Sequence, residues 1–398
     1  MKIQRAYKTE LAPNVAQTIL CWKSCGTARF AWNWGLARRK AEYEATGKSS
    51  NAIEQHRQLN ELKPTEFPWM YEVSKCAPQE SFRDLDKSYK HFFRRVKEGG
   101  KSGFPKFKSK HNNKHSFRLT GSIHVESRRI KLPNIGWVKL KERDYIPQDA
   151  KILSATVSAR AQRWFVSVLT EEVTPTTNLK GNVVGIDLGV AKLATTSDNV
   201  VFLNPKALKK NLKKLACLQR RMAKQVKGSK NKGKTRIKVQ RLHYRVGCIR
   251  QDAIHQMTTA IAKTKPSVVV IEDLAVRNML RNRRLARSIA DAAFGEIRRQ
   301  LAYKGEWTGF KLVVADRWFP SSKTCSQCGH IKVELKLSDR VFVCPVCGLV
   351  IDRDLNASIN LREYYNTVSS TGINACGDEC SRGSSRKQEL KTMKKAVA

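Results

Sequence analysis

The chain has 398 residues, 41% of them hydrophobic and 8% aromatic, which allows two or three domains each with its own core. Its 76 lysines and arginines against 34 acids leave a formal net charge of +42, and that balance predicts a polyanionic partner. No run of about 18 apolar residues, no compact basic amphipathic anchor and no apolar signal core in MKIQRAYKTELAP are found, so membrane binding and secretion are set aside and a cytoplasmic location is expected.

In chain order, residues 3–11 read as a strand, and Pro13 and Asn14 open a helix carrying Ile19, Trp22, Ala28, Phe30 and Trp34. Residues 63–73 are a loop broken by two prolines. Helical spacing resumes over 77–97 with Phe82, Leu85, Tyr89, Phe92, Phe93 and Val96. A Gly- and Lys-rich loop over 98–115 places Phe104 and Phe107 between charges. The stretch from about 117 to 172 alternates like a set of strands. VTPTTNLKGN (173–182) reads as a linker at a domain boundary. Beyond it, NVVGIDLGVAKLATTSDNVVFL reads as strands, and 206–225 and 235–263 as two helices around a basic tip. No acid occurs between Lys206 and Arg250, which favours nucleic-acid contact over a merely solvated face. SVVVIEDL is a buried strand by its continuous apolar run. An Arg-rich segment, a helix, a cysteine knuckle and a last helix follow, and from about 368 the composition is that of disorder.

Eleven cysteines in a chain of this size and charge suit a reducing compartment better than a disulfide framework. Cys325-x2-Cys328 and Cys344-x2-Cys347, fifteen residues apart, have the spacing of a structural tetrahedral Zn²⁺ site. Gly329 and Gly348 follow the two pairs, and His330 is read as a bystander. Cys21, Cys25, Cys76, Cys217 and Cys248 are read as small core residues.

Three acids form a second constellation. Asp187 ends the apolar strand VVGID and Glu272 ends VVVIE. A carboxylate in a buried strand is costly unless paired or metal-bound. Glu272 and Asp273 face opposite sides of their strand, so one of them joins Asp187. If a helix starts at Asp354, then Asp354, Ala357, Leu361 and Tyr365 share one stripe and Asp354 points at the strands, with Asp352 as the second choice. Asp187, Glu272 and Asp354 together suit two Mg²⁺ ions about 4 Å apart, with Mn²⁺ as a substitute and nuclease chemistry as the consequence.

These residues carry a resemblance. GIDLGV (185–190), VVVIEDL (268–274), NRRLARSIADAAFGEIRRQL (282–301), FPSSKTCSQCG (319–329), CPVCG (344–348), DRDLNASINL (352–361) and GINACG (372–377) are similar to the RuvC-like half of the TnpB family, transposon-encoded RNA-guided DNA endonucleases related to type V CRISPR effectors. GTARFAWNW (26–34), SYKHFF (88–93), GFPKFK (103–108) and IKLPNIGWVKL (130–140) extend the resemblance over the first half.

The resemblance implies a multidomain α/β protein. Its parts are a wedge β-barrel (1–12 and 98–175), a helical recognition insertion (13–97), an RNase H-like RuvC nuclease domain (180–318 and 349–367), an inserted zinc ribbon (319–348) and a tail (368–398). It implies Asp187, Glu272 and Asp354 as Mg²⁺ ligands, a guide RNA from the transposon end, and double-stranded target DNA beside a short flanking motif. The family's contacts to that motif carry over to Lys75, Gln79 and Thr120. The further nucleic-acid contacts expected here are Lys106, Lys108, Arg283 and Arg284, in a chain expected to act as a monomer. The rival readings are RNA-guided occupancy without cutting, and a transposase. RNase H-like transposases order their acids Asp, Asp, Glu, whereas this chain has Asp, Glu, Asp.

Overall fold

In a computed structural model, the described residues are 2–100, 103–111, 115–173, 181–336 and 338–370. The tail from 371 onward, with the segment 372–377, and most of the linker lie outside them. The chain divides into two compact units, one ending at Thr174 and the other beginning at Pro175.

The first unit runs β1 (Lys2–Ala12), α1 (Val15–Thr46), α2 (Ala52–Leu62), a 3-10 turn at Pro68–Glu72, α3 (Cys76–Lys97), β2 (His115–Leu119), β3 (His124–Glu126), β4 (Arg129–Leu132), β5 (Gly136–Leu140), β6 (Lys151–Arg160) and β7 (Arg163–Val173). The seven strands form one antiparallel sheet in the order β2-β6-β7-β1-β5-β4-β3. Phe117, Ile130, Val138, Val157 and Val166 from across the sheet share a single core.

Asn14 starts α1 as expected: its side chain accepts from the Gln17 N–H, and Gln17 answers with a bond from the Asn14 N–H. The buried face of α1 differs from the one read in the sequence. Cys21, Cys25, Ala28, Ala31, Trp32 and Leu36 are buried, whereas Ile19 and Trp22 are exposed. The reason is that the stripe follows the contact with α3, leaving Trp22 edge-on against Trp164 and His115 at the rim. Likewise Phe82 and Leu85 of α3 are buried, but Phe93 and Val96 are exposed, Phe93 packing only along its own helix on Tyr89 and Phe92 among the ring contacts of the described residues. Pro78 is the third residue of α3, where a helix has no intrahelical N–H bond to lose.

The second unit runs β8 (Val183–Asp187), β9 (Lys192–Thr196), β10 (Val201–Leu203), α4 (Ala207–Lys224), α5 (Lys230–Lys263), β11 (Val268–Glu272), α6 (Val276–Met279), α7 (Ala286–Ala292), α8 (Phe294–Thr308), β12 (Lys311–Ala315), β13 (Val341–Val343), β14 (Val350–Asp352) and α9 (Arg353–Ser370). Its main sheet has the order β10-β9-β8-β11-β12. The first three strands are antiparallel, and β8, β11 and β12 are parallel. α5 and α8 cover one face, and α9 packs on the other. The basic hairpin of α4 and α5 closes on Leu215, Val239 and Leu242. Its root is fixed by Asp291, a buried acid that accepts from the Leu208 N–H and from Arg250. Cys217 and Cys248 are exposed on these helices, against the core role expected of them, because the hairpin buries only a narrow seam.

Candidate active site and metal centre

Strand alternation decides where the acids go. Val184, Ile186, Val269 and Ile271 face α5 and α8. Val183, Val268 and Val270 face α9, together with Val313 and Ala315. Asp187 and Glu272 continue this second series, so both carboxylates lie on the α9 side. The last paired residues of the parallel strands are Ile186 and Ile271, so the two acids end neighbouring strands at the same level. Asp273, one residue on, turns away to pair with Arg298 and Arg317.

The third acid arrives on α9. Ala357 and Leu361 are buried against the sheet, which is the stripe expected from the sequence. The close approach depends on Gly185. A Cβ there would overlap the Ser358 carbonyl and lie 2.6 Å from the Arg362 nitrogen, so only glycine lets β8 and α9 meet backbone to backbone. The helix begins one residue before the start expected from the sequence, at Arg353, and its cap is Asp352. The Asp352 carboxylate accepts from the Asp354 N–H at 3.0 Å and the Leu355 N–H at 3.1 Å.

The electrostatics follow from crowding like charges. Burial first, then the charges of Glu272 and Asp354, push the Asp187 carboxyl well above the usual carboxylate range. Glu272 accepts from the hydroxyl of Ser321. Lys192 reaches in from β9, 2.8 Å from Asp352 and 3.5 Å from Asp354. An all-oxygen donor set of mutually repelling carboxylates suits a hard divalent cation such as Mg²⁺ or Mn²⁺. Among the described residues, the only group of three or more candidate ligands whose donor atoms all lie within 4.8 Å of one another is the cysteine quartet.

That quartet is Cys325, Cys328, Cys344 and Cys347. Two of its sulfur–sulfur separations are 3.6 Å, close to the edge of about 3.8 Å expected for a tetrahedron with Zn–S near 2.3 Å. Gly329 and Gly348 adopt positive φ of 73° and 72°, and their N–H groups close the knuckles on the Cys325 and Cys344 carbonyls. The backbone N–H of Cys347 is the main influence lowering the Cys344 thiol to about 6, whereas, against the backbone N–H groups of His330 and Leu349, burial and the neighbouring thiols raise Cys328 and push Cys347 up to about 12. His330 is exposed, and its backbone serves the knuckle: its carbonyl accepts from the Cys325 N–H, and its N–H is directed at the Cys328 sulfur.

The residues expected to touch nucleic acid are spread over both units. Lys75, Gln79 and Thr120 line one cavity of about 760 Å³ in the first unit, with His56, Asn60 and Lys63. Lys106 is exposed, and its carbonyl accepts from the Trp32 indole. Lys108 is exposed by area, yet its ammonium lies 3.6 Å from the centre of the Trp32 ring, and desolvation lowers it to about 8. Much of its role is therefore to hold the loop onto α1, where Asn33 also grips its backbone. Arg283 and Arg284 are exposed between α6 and α7.

Sequence reasoning missed Lys192, Ser321 and two buried asparagines of α9, Asn356 and Asn360. The asparagines carried a signal: Asn356 and Asn360 are spaced i,i+4 beside the buried Ala357 and Leu361, and buried amides need polar partners. Lys192 and Ser321 carried none, since each gains its meaning from a distant acid. Among the described residues, no helix is long and apolar enough to cross a membrane.

Three family profiles match the chain. One described as "Probable transposase" (OrfB of IS605) covers residues 165–283, and one described as "Cas12f1-like, TNB domain" covers 294–361. A "Helix-turn-helix domain" covers 1–48, although the structure there is a strand followed by one 32-residue helix. Two curated relatives align along nearly their whole length. "Putative RNA-guided DNA endonuclease InsQ" of Escherichia coli K12 is 36% identical over all of both chains. A "Putative RNA-guided DNA endonuclease" of Streptomyces pristinaespiralis is 35% identical over 95% of this chain and 92% of its own. Among solved structures, the "Cas12f1-sgRNA-target DNA complex" superposes with a TM-score of 0.53 at 16% identity. The match covers 91% of this chain and 99% of that one, and supports a shared α/β fold.

Proposed function

Because this chain belongs to the TnpB family, the OrfB proteins of IS605-type transposons, we propose that it is an RNA-guided DNA endonuclease. In this reading a guide RNA from the transposon end pairs with target DNA beside a short flanking motif, and the protein supplies the cut. The single observation that carries the chemistry is the convergence of Asp187, Glu272 and Asp354 on one side of the sheet of the second unit.

The finer domain assignment belongs to the same proposal. Three antiparallel strands continued by two parallel ones, with acids at the ends of β8 and β11, support an RNase H-like RuvC domain. The seven-stranded antiparallel sheet with one shared core supports a wedge barrel, with α1 to α3 as the recognition insertion. The cysteine quartet supports a ribbon holding one structural Zn²⁺.

Bound Mg²⁺ would supply an activated water and stabilise the leaving oxygen, as in two-metal nucleases. The chain's own groups set the geometry. Asp187 and Glu272 offer carboxylates from rigid strand ends, and Asp354 offers one from the first turn of α9. Lys192 keeps the N-terminal turn of α9 electrostatically balanced. The basic α4–α5 hairpin, Arg283 and Arg284 provide phosphate contacts that fix no sequence. Lys75, Gln79 and Thr120, gathered on one cavity, are suited to reading the flanking motif.

The test is a plasmid library with randomised flanks, a fixed target and a reprogrammed RNA. Cleavage should follow the guide and a single flanking motif, and should need Mg²⁺ or Mn²⁺. Cutting without RNA, or at sites unrelated to the guide, would restore the transposase or plain-nuclease readings.

A further inference from the structure

The acids come from three separate elements, so something must fix the distance between the strand ends and α9. The segment leading into the first cysteine knuckle touches both. Ser321 is 3% exposed and donates its hydroxyl to Glu272. The carbonyl of the same residue accepts from Asn360 at 2.7 Å. Asn360 also donates to the Thr324 carbonyl at 2.6 Å, and Asn356 donates to that carbonyl at 2.7 Å. The Asn356 side-chain oxygen accepts from the Ser326 N–H at 3.0 Å, immediately after the first zinc-site cysteine. Asn356 and Asn360 are 0% and 6% exposed, so these bonds are made away from water.

The network has a direction. The knuckle segment 321–326 is held along the side of α9 by two asparagines one turn apart. Asp354 stands on the same helix, two residues before Asn356. The hydroxyl that points away from α9, across to β11, ends on the Glu272 carboxylate. A shift of the segment along the helix would therefore move Glu272 relative to Asp354. Buried amide and hydroxyl groups are costly to leave unpaired, so the bonded register is strongly preferred over its neighbours.

We propose that Ser321 is a positioning residue for Glu272, and that the first cysteine knuckle, through Asn356 and Asn360, sets the spacing of the metal-binding acids. The segment 321–326 thus fixes the geometry of the acid site through its own hydroxyl, carbonyls and N–H. This inference rests on the reading of Asp187, Glu272 and Asp354 as ligands of a divalent cation. Groups that orient a metal ligand from behind typically change metal affinity by about 10- to 100-fold when removed.

The experiment measures Mn²⁺ binding to the full chain by calorimetry and by the electron paramagnetic resonance signal of free Mn²⁺, with zinc content and thermal unfolding recorded beside it. The variants are Ser321→Ala, Ser321→Cys, Asn360→Ala and, as a control on the ligands, Glu272→Ala. Ser321→Ala should weaken Mn²⁺ binding by about 10-fold or more, at one zinc per chain. Ser321→Cys keeps the volume and a weak donor, so it should fall between Ser and Ala, and it carries the test if the alanine variant does not fold. Asn360→Ala should weaken Mn²⁺ binding in the same direction with zinc retained. Equal Mn²⁺ affinity across Ser, Cys and Ala would overturn the positioning role, as would Mn²⁺ losses that only track loss of zinc. If Glu272→Ala itself binds Mn²⁺ like the wild type, the underlying ligand reading fails instead, and the two failures are told apart.

Discussion

The cysteine quartet and the acid trio are both candidate metal centres of the second unit, yet they are built in opposite ways. The quartet lies within 23 consecutive residues, from Cys325 to Cys347, and its sulfurs already stand at the spacing a tetrahedral ion needs. The trio is drawn from residues 187, 272 and 354, far apart in the chain, and its carboxyls repel one another. A thiolate site shaped by two local turns is preorganised by backbone geometry alone. An acid site spread over a sheet and a helix depends on packing, on Gly185, and on borrowed partners such as Lys192 and Ser321. The lesson is that local sites tolerate distant change, whereas dispersed sites inherit the tolerances of every interface between their parts.

The largest effect expected from breaking this contrast is on cleavage. Asp187→Ala, Glu272→Ala and Asp354→Ala should each lower the cleavage rate by at least about three orders of magnitude, because ligands of one site act as a unit. Double variants should cost little more than single ones. Guide-RNA binding and target binding should survive, as measured by filter binding with a non-cleaved duplex. A graded, additive loss across the three would show that they do not share one site.

Zinc-site variants should differ in kind. Cys325→Ser or Cys344→Ser should lose about one zinc per chain and destabilise the second unit, since structural metal binding is coupled to folding. Elemental analysis and unfolding curves read this directly. Wild-type protein containing no zinc would end the reading of the quartet as a metal centre.

The same contrast explains how much could be read from the sequence. The cysteines were legible because CxxC spacing is itself the geometry. Asp187 and Glu272 stood out because charge at the end of an apolar strand is anomalous, and alternation along VVGID and VVVIE places both on the α9 face. The stripe Ala357–Leu361 oriented α9 correctly. Asn356 and Asn360 were overlooked because a helix buried on two sides has no clean polar face, and the second side is covered by the knuckle rather than by an apolar surface. Ile19 and Trp22 misled for a related reason: apolar periodicity marks a helix but does not say where its partner ends. Cys217 and Cys248 failed because a hairpin that projects from its sheet buries only a seam.

Gly185→Ala probes the interface that brings Asp187 and Asp354 together. The added methyl must displace α9, at a cost of about 1–3 kcal/mol or more for overpacking. Chemical denaturation should show this loss of stability with zinc content unchanged. Cleavage should fall by more than the unfolded fraction accounts for, because the displaced helix carries Asp354. Full activity in the folded fraction would mean that the acid site is less sensitive to helix position than its construction implies.

The smallest expected effect separates Asp352 from its neighbour. Asp352 caps α9 through the Asp354 and Leu355 N–H groups and pairs with Lys192, whereas Asp354 sits one turn before Ala357 on the face that meets the sheet. Asp352→Ala should therefore cost the value of a helix cap, about 1 kcal/mol, together with part of the ion pair to a half-exposed lysine. Asp352→Asn or Asp352→Ser, which still accept from the N–H groups, should recover most of that stability without restoring the charge. Cleavage by Asp352→Ala should fall only modestly at saturating Mg²⁺, while Asp354→Ala should be inactive at any Mg²⁺ concentration. The comparison needs both variants in the same guide complex, with a Mg²⁺ titration for each. If Asp352→Ala is inactive and Asp354→Ala cuts, the ligand is the capping residue, and the helix-face argument that placed Asp354 in the site is wrong.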